Sequence, residues 1–138
     1  MTLSPDEVAG VVDLFGELSP AELARAREEL GYRLSEEIPE TDVRAAVGAY
    51  TLVPYDRDGT RRIAVGPTAF PVVPDGGEDL PHILDVEWCA AGEGALVAAT
   101  LDRVNGESLR ARRVGNPVEC GRLVDVSYDI EAWADVSL

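Results

Sequence analysis

"AYTLVPYDRDGTRRIAVGPTAF", residues 49–70, decides how the chain folds. Two strand-like runs, "YTLVPY" and "RRIAVG", flank the polar "DRDG", where Gly59 permits the left-handed backbone angles of a tight turn. The pattern predicts a two-stranded hairpin with Arg57, Arg61 and Arg62 gathered at its tip. Arg57 stands between Asp56 and Asp58, which favours local pairing.

Upstream of the hairpin lie three well-marked helices. "LSPDEV" at 3–8 and "LSPAEL" at 18–23 each place Ser at an N-cap, Pro at the first helical position and Glu at the third, a capping box with a proline where no helical N–H partner is needed. Leu3 with Val8, and Leu18 with Leu23, are spaced as hydrophobic staples. Val8, Val11, Val12 and Phe15 follow one helical face, as do Leu23, Ala26, Leu30 and Leu34. A third helix, starting between Pro39 and Thr41, offers Val43, Ala46, Val47 and Tyr50. Three helices followed by a hairpin is the chain order of a winged helix with its first strand missing or unrecognised.

Downstream, Pro67, Pro71, Pro74 and a glycine pair mark an extended crossing segment. The expected organisation is one domain over 1–138, with a helical unit plus hairpin at 1–66, a Pro-rich connection at 67–78 and a helical part at 79–138. Asp79 and Asn116 are candidate helix caps. "ALVAATLDRVNGESLRARRVG" admits two helices meeting at Asn105 and Gly106, or a hairpin over Asn-Gly. A hairpin would put Leu109 on the face of Asp102, whereas a helix groups Val97, Thr100, Leu101 and Val104, so helices are favoured. Behind Asn116, Cys120, Leu123 and Val124 are the expected buried residues, and Tyr128, Ile130 and Trp133 the anchors of the last segment. The fold class is mainly α (α+β).

At 138 residues one core is the default. The 26 acids face 12 basic residues, all of them Arg, for a net charge of -14. The first 70 residues hold 13 acids and 7 Arg and the remainder 13 and 5, so there is no acidic tail and no basic arm. Such charge self-repels in dilute buffer but is screened at about 1 M salt, where the Debye length is about 3 Å. Asp and Glu hold water at the surface while Arg still forms bidentate pairs, a composition suited to concentrated salt. The first twenty residues carry neither a basic stretch nor an unbroken apolar run, and no window approaches a membrane span; a soluble, cytoplasmic protein with no membrane contact is expected. Cys89 and Cys120 lack zinc or redox spacing and are expected as small buried apolar residues.

"LSPDEVAGVVDLFGELSPAELARAREELGYR", "GPTAFPVVPDGGEDLPHILDVE" and "RLVDVSYDIEAW" together resemble a haloarchaeal family of small acidic proteins of unknown function. The resemblance implies a mostly helical cytoplasmic protein of a salt-accumulating archaeon, and it brings no catalytic or ligand residues with it.

Chemistry-bearing patterns are sparse. His82 is the single histidine; a weak metal site with Asp79, Asp85 and Glu78 or Glu87 can be drawn around it, but a histidine hydrogen-bonded near a helix start accounts for it better, and no metal site is assigned. "DRDGT" begins like a calcium loop, yet Arg61 stands where the loop's glycine belongs. "AAGEGAL" lacks the Lys and Ser/Thr of a phosphate loop, and no Ser or Cys sits in a nucleophile motif. The expectation is therefore no enzyme, no catalytic residue and no cofactor.

DNA readout makes a demand on the third helix, which must offer long polar side chains to base edges. Its outward positions are Thr41, Ala45 and Gly48, flanked by Arg44 and Asp42, a small-residue face suited to packing. Three tip arginines add little in brine, because phosphate contacts weaken with a log-salt slope of about -0.9 each. The expected function is a non-catalytic protein-interaction module of a halophilic cytoplasm, meeting a protein partner or a second copy through Thr41, Arg44, Ala45, Gly48, Arg57, Arg61 and Arg62. The alternative is a winged-helix-like DNA-binding regulator.

Overall fold

The structure, a computed structural model, describes residues 2–137, with side chains as far as Ala134. Both capping boxes form. Ser4 Oγ accepts from the Glu7 amide and the Glu7 carboxylate from the Ser4 amide, each at 3.1 Å, opening α1 (Pro5–Asp13). Ser19 and Glu22 repeat the exchange at the start of α2 (Pro20–Leu34). α3 (Glu40–Gly48) has no side-chain cap; instead Asp42 turns inward and accepts the Leu3 amide at 2.8 Å, tying α3 to the chain ahead of α1. The staple residues Leu3, Val8, Leu18 and Leu23 all lie in the main core, with Val12, Phe15, Ala26, Leu30 and Ala46.

β2 (Leu52–Arg57) and β3 (Thr60–Val65) pair antiparallel from Leu52↔Val65 to Arg57↔Thr60. Asp58 and Gly59 form the two-residue turn with φ 51° and 81°, the primed geometry that matches strand twist. A third strand, β1 (Glu17–Leu18), lies between α1 and α2 and pairs with the other edge of β3, Glu17↔Ala64 and Leu18↔Ile63. The sheet order is β1-β3-β2. The fold is α+β, six helices and a small antiparallel sheet.

Strand alternation divides the sheet between two layers. Leu18, Leu52 and Ile63 face α1, α2 and α3, while Val53, Tyr55 and Ala64 face Leu96 of the long helix α5 (Glu93–Arg113). The base of the hairpin is thus covered on both faces, while its tip, with Asp56 and Arg61, is exposed. The Pro-rich segment crosses α1, where the Val72 amide donates to the Asp6 carbonyl at 2.9 Å and the Phe70 amide to the Asp6 carboxylate at 3.0 Å. Gly10 makes that crossing possible, since a Cβ there would fall 2.0 Å from the Val72 carbonyl oxygen.

Four expectations need correction. Asp79 precedes the single turn α4 (Leu80–Ile83) but makes no cap, because its carboxylate pairs with Arg33 at 3.3 Å. Neither two helices nor a hairpin spans 95–114. α5 is continuous through Asn105 and Gly106, both of which face solvent, and burial of Leu96, Thr100, Val104 and Ala111 outweighs the local turn preference. The buried face is therefore rotated from the one expected, leaving Leu101 exposed. In α6 (Pro117–Ser137), which Asn116 caps by accepting the Glu119 amide at 3.1 Å, Leu123, Val126 and Ile130 are buried, but Val124 and Tyr128 are exposed. Cys89 and Cys120 are both half-buried rather than sealed in the core.

Candidate functional site

Two polar nodes and two open surfaces bring together most of the residues singled out in the sequence. The first node follows from strand parity. Glu17 opposes Ala64, Tyr55 opposes Arg62 and Arg57 opposes Thr60, so Glu17, Tyr55, Arg57 and Arg62 all project to the α5 side of the sheet. Glu17 is 1% exposed. It accepts from Tyr55 Oη, from Arg57 Nη1 at 2.9 Å, from Arg62 Nε at 3.1 Å and from Cys89 Sγ at 3.5 Å. Burial alone pushes the Glu17 carboxyl up, but these donors together outweigh it and hold the group below the usual carboxylate range. Tyr55 is pushed up by burial and by its hydrogen bond to Glu17.

Arg57 therefore does not pair with Asp56 or Asp58. It reaches Glu17 and also donates to the Ala90 carbonyl at 2.8 Å. Arg62 divides between Glu17 and Glu22. Arg61 lies on the opposite sheet face, exposed and 3.3 Å from its cross-strand partner Asp56. The three arginines read together from the sequence are thus separated, two turned inward and one outward. The register of a two-residue turn already implies this split, since 57 and 62 share a face and 61 does not.

The second node closes the end of α3. Tyr50, in a left-handed conformation at φ 62°, donates to Glu107 Oε2 at 2.6 Å and lies under the Arg103 guanidinium, 3.9 Å from ring centroid. Arg103 donates to the Val47 carbonyl at 2.5 Å and to Glu107 at 3.1 Å. Arg122 donates to the Gly48 carbonyl at 3.3 Å and pairs with Glu119. Two guanidinium groups from α5 and α6 thereby reach the last carbonyls of α3, Arg103 adding to the Tyr50 amide on Val47 and Arg122 capping Gly48, where positive charge is also favoured by the helix dipole. Burial, then the bond to Glu107, pushes the Tyr50 phenol far up. No pattern in the sequence joins Tyr50, Arg103, Glu107 and Arg122, which lie in three separate elements.

Thr41, Arg44, Ala45 and Gly48 form the outer face of α3, all exposed, with Arg44 3.4 Å from Glu40. A Cβ at Gly48 would meet only open space. The second open surface is the outside of α6. Gly121, Val124, Tyr128 and Ala132 recur on the side opposite Leu123, Val126 and Ile130, with Val124 52% and Tyr128 66% exposed. His82 is exposed, and among the described residues no three His, Cys, Asp or Glu side chains converge on a point where a metal ion could sit. Among the described residues no helix is long and apolar enough to cross a membrane.

No curated protein and no solved structure matches the chain. The family is nonetheless defined, because the match runs over nearly every residue described above: the chain belongs to the family of unknown function DUF7109, which it matches over residues 6–138.

Proposed function

We propose that the protein is a non-catalytic protein-binding module, docking a partner chain, in the simplest case a second copy, through the outer face of α6. The carrying observation is that this helix is apolar on two sides and packed on one. Between the charged flanks of α6, Gly121, Val124, Tyr128 and Ala132 make an exposed stripe that no described residue covers. The small outer face of α3, Thr41, Arg44, Ala45 and Gly48, is a second contact surface of the same kind. The uniform charge of -14 without a lysine supports a salt-rich cytoplasm as the setting. Sedimentation in molar KCl tests the reading, with a dimer expected for the wild type, a monomer for Tyr128→Glu and a weakened dimer for Gly48→Trp. A monomeric wild type across the concentration range overturns the second copy as the occupant, and a pull-down at molar KCl that gives the same partners for wild type and Tyr128→Glu overturns the α6 surface itself.

A winged-helix-like DNA-binding regulator is the second reading, favoured by the order helix, strand, helix, helix, strand, strand and by the pairing β1-β3-β2. Against it stand the inward Arg57 and Arg62, the hairpin face covered by α5, and the absence of long polar side chains along the outside of α3 other than Arg44, itself paired. A mobility shift with genomic fragments in molar KCl is expected to give no retarded band; a specific complex would reverse the order of the two readings.

A further inference from the structure

The two tryptophans of the chain meet in one groove. It encloses about 310 Å³, at the small end of ligand sites, with Leu96 and Val97 of α5 as apolar wall and Asp13 and Glu93 among its lining. Trp133 enters from α6, half-buried and packed against both the α5–α6 core and the core between α5 and the sheet. Trp88 is 65% exposed, yet its segment is firmly held. The Cys89 amide donates to the Phe15 carbonyl at 2.9 Å, Arg57 to the Ala90 carbonyl at 2.8 Å, and the Gly92 amide to Tyr55 Oη at 2.9 Å. Beneath the indole lies Gly16, where a Cβ would come 3.1 Å from Trp88 Cε2 and 2.1 Å from the Cys89 carbonyl oxygen. The ring is thus positioned by the buried Glu17 node and left open to solvent.

Neither Asp13 nor Glu93 has a cationic partner among the described residues. Two indoles and two unpaired carboxylates lining an apolar slot suit one class of ligand, a cation that also carries carbon. Indole holds such groups through its quadrupole, and the carboxylates supply the countercharge. A bare metal ion gains little here, because three metal-type ligands do not converge. We propose that this groove binds a small organic cation, an alkylated ammonium or a guanidinium, with its charge over the indoles and between Asp13 and Glu93. The site is separate from the outer face of α6, since Trp133 lies on the inner side of that helix.

Intrinsic fluorescence reports the site directly, because both fluorophores line it. Titration of the full chain with choline, at ionic strength matched with KCl, is expected to give a saturable change. Its neutral isostere 3,3-dimethylbutan-1-ol is expected to give none, and N-acetylarginine amide tests the guanidinium arm. Trp88→Leu, read through Trp133, should weaken choline by roughly tenfold, and Glu93→Gln by roughly threefold; circular dichroism checks that both variants stay folded. Equal response to choline and to the neutral isostere overturns the proposal, as does a wild-type signal that only follows ionic strength. Loss of self-association in Tyr128→Glu with choline binding intact would separate this site from the docking surface.

Discussion

The sheet with its three N-terminal helices and the α5–α6 pair treat polar and apolar groups in opposite ways. Around the sheet, a carboxylate that is almost fully buried has four donors, and the base of the hairpin is covered on both sides. In α6 an apolar stripe as long as the buried one faces outward. The difference separates what holds the fold from what the fold presents. Arg57 and Arg62, two of the arginines that look like a nucleic-acid grip in the sequence, belong to the first category, and the outer face of a helix that reads as a plain closing segment belongs to the second.

Removing the Glu17 charge is the strongest way to break the closed side of this contrast. Glu17→Gln removes the carboxylate that Arg57 and Arg62 share and leaves Arg62 only Glu22, and the expected loss is about 3 kcal/mol by denaturant titration. The pH dependence has a definite sign. A carboxyl held low in the folded state stabilises at pH values above its unfolded pKa, about 4.3, and that contribution disappears as pH falls through the folded value. The gap between wild type and Glu17→Gln should therefore narrow steadily below pH of about 4. A gap that stays constant into acid would mean that Glu17 acts by packing rather than by charge.

Next in size is Gly16, whose φ of 82° and whose closeness to the Cys89 carbonyl both exclude a side chain. Gly16→Ala should cost about 2 kcal/mol and shift the Trp88 emission, since the segment above it must move. A silent variant would show that the 88–92 segment is not clamped, and would weaken the case for a preorganised groove.

Legibility followed locality. The capping boxes, the stripes of α1 and α2 and the turn at Gly59 are written within a few residues of themselves, and all three appear where the sequence puts them. β1 is two residues long, too short for any alternation to register, and exists only because β3 offers an edge. Asn105–Gly106 carries a strong local turn signal that long-range burial of Leu96, Thr100, Val104 and Ala111 overrides. In α6 the apolar residues recur on two faces, so periodicity shows a helix without showing which face is inside; Val124 is exposed, and Val126 holds the core position. The Glu17 node joins residues 17, 55, 57, 62 and 89, and only the strand register makes them neighbours.

The smallest expected effect sharpens the open side. Unlike Gly10 and Gly16, Gly121 sits on the outer stripe of α6, where a Cβ meets none of the described residues. Its replacement by Ala therefore removes only backbone freedom from the unfolded state and should stabilise the monomer by about 0.5 kcal/mol, seen as a slightly higher denaturation midpoint. A glycine that costs stability and fills no strained position in its own chain is explained if another helix approaches closely at that point. If so, Gly121→Ala raises monomer stability and lowers association in the same sample, opposite signs that a surface with no partner cannot produce. If stability rises and sedimentation is unchanged, close helix approach at Gly121 is excluded, and the contact must rest on Val124 and Tyr128 alone.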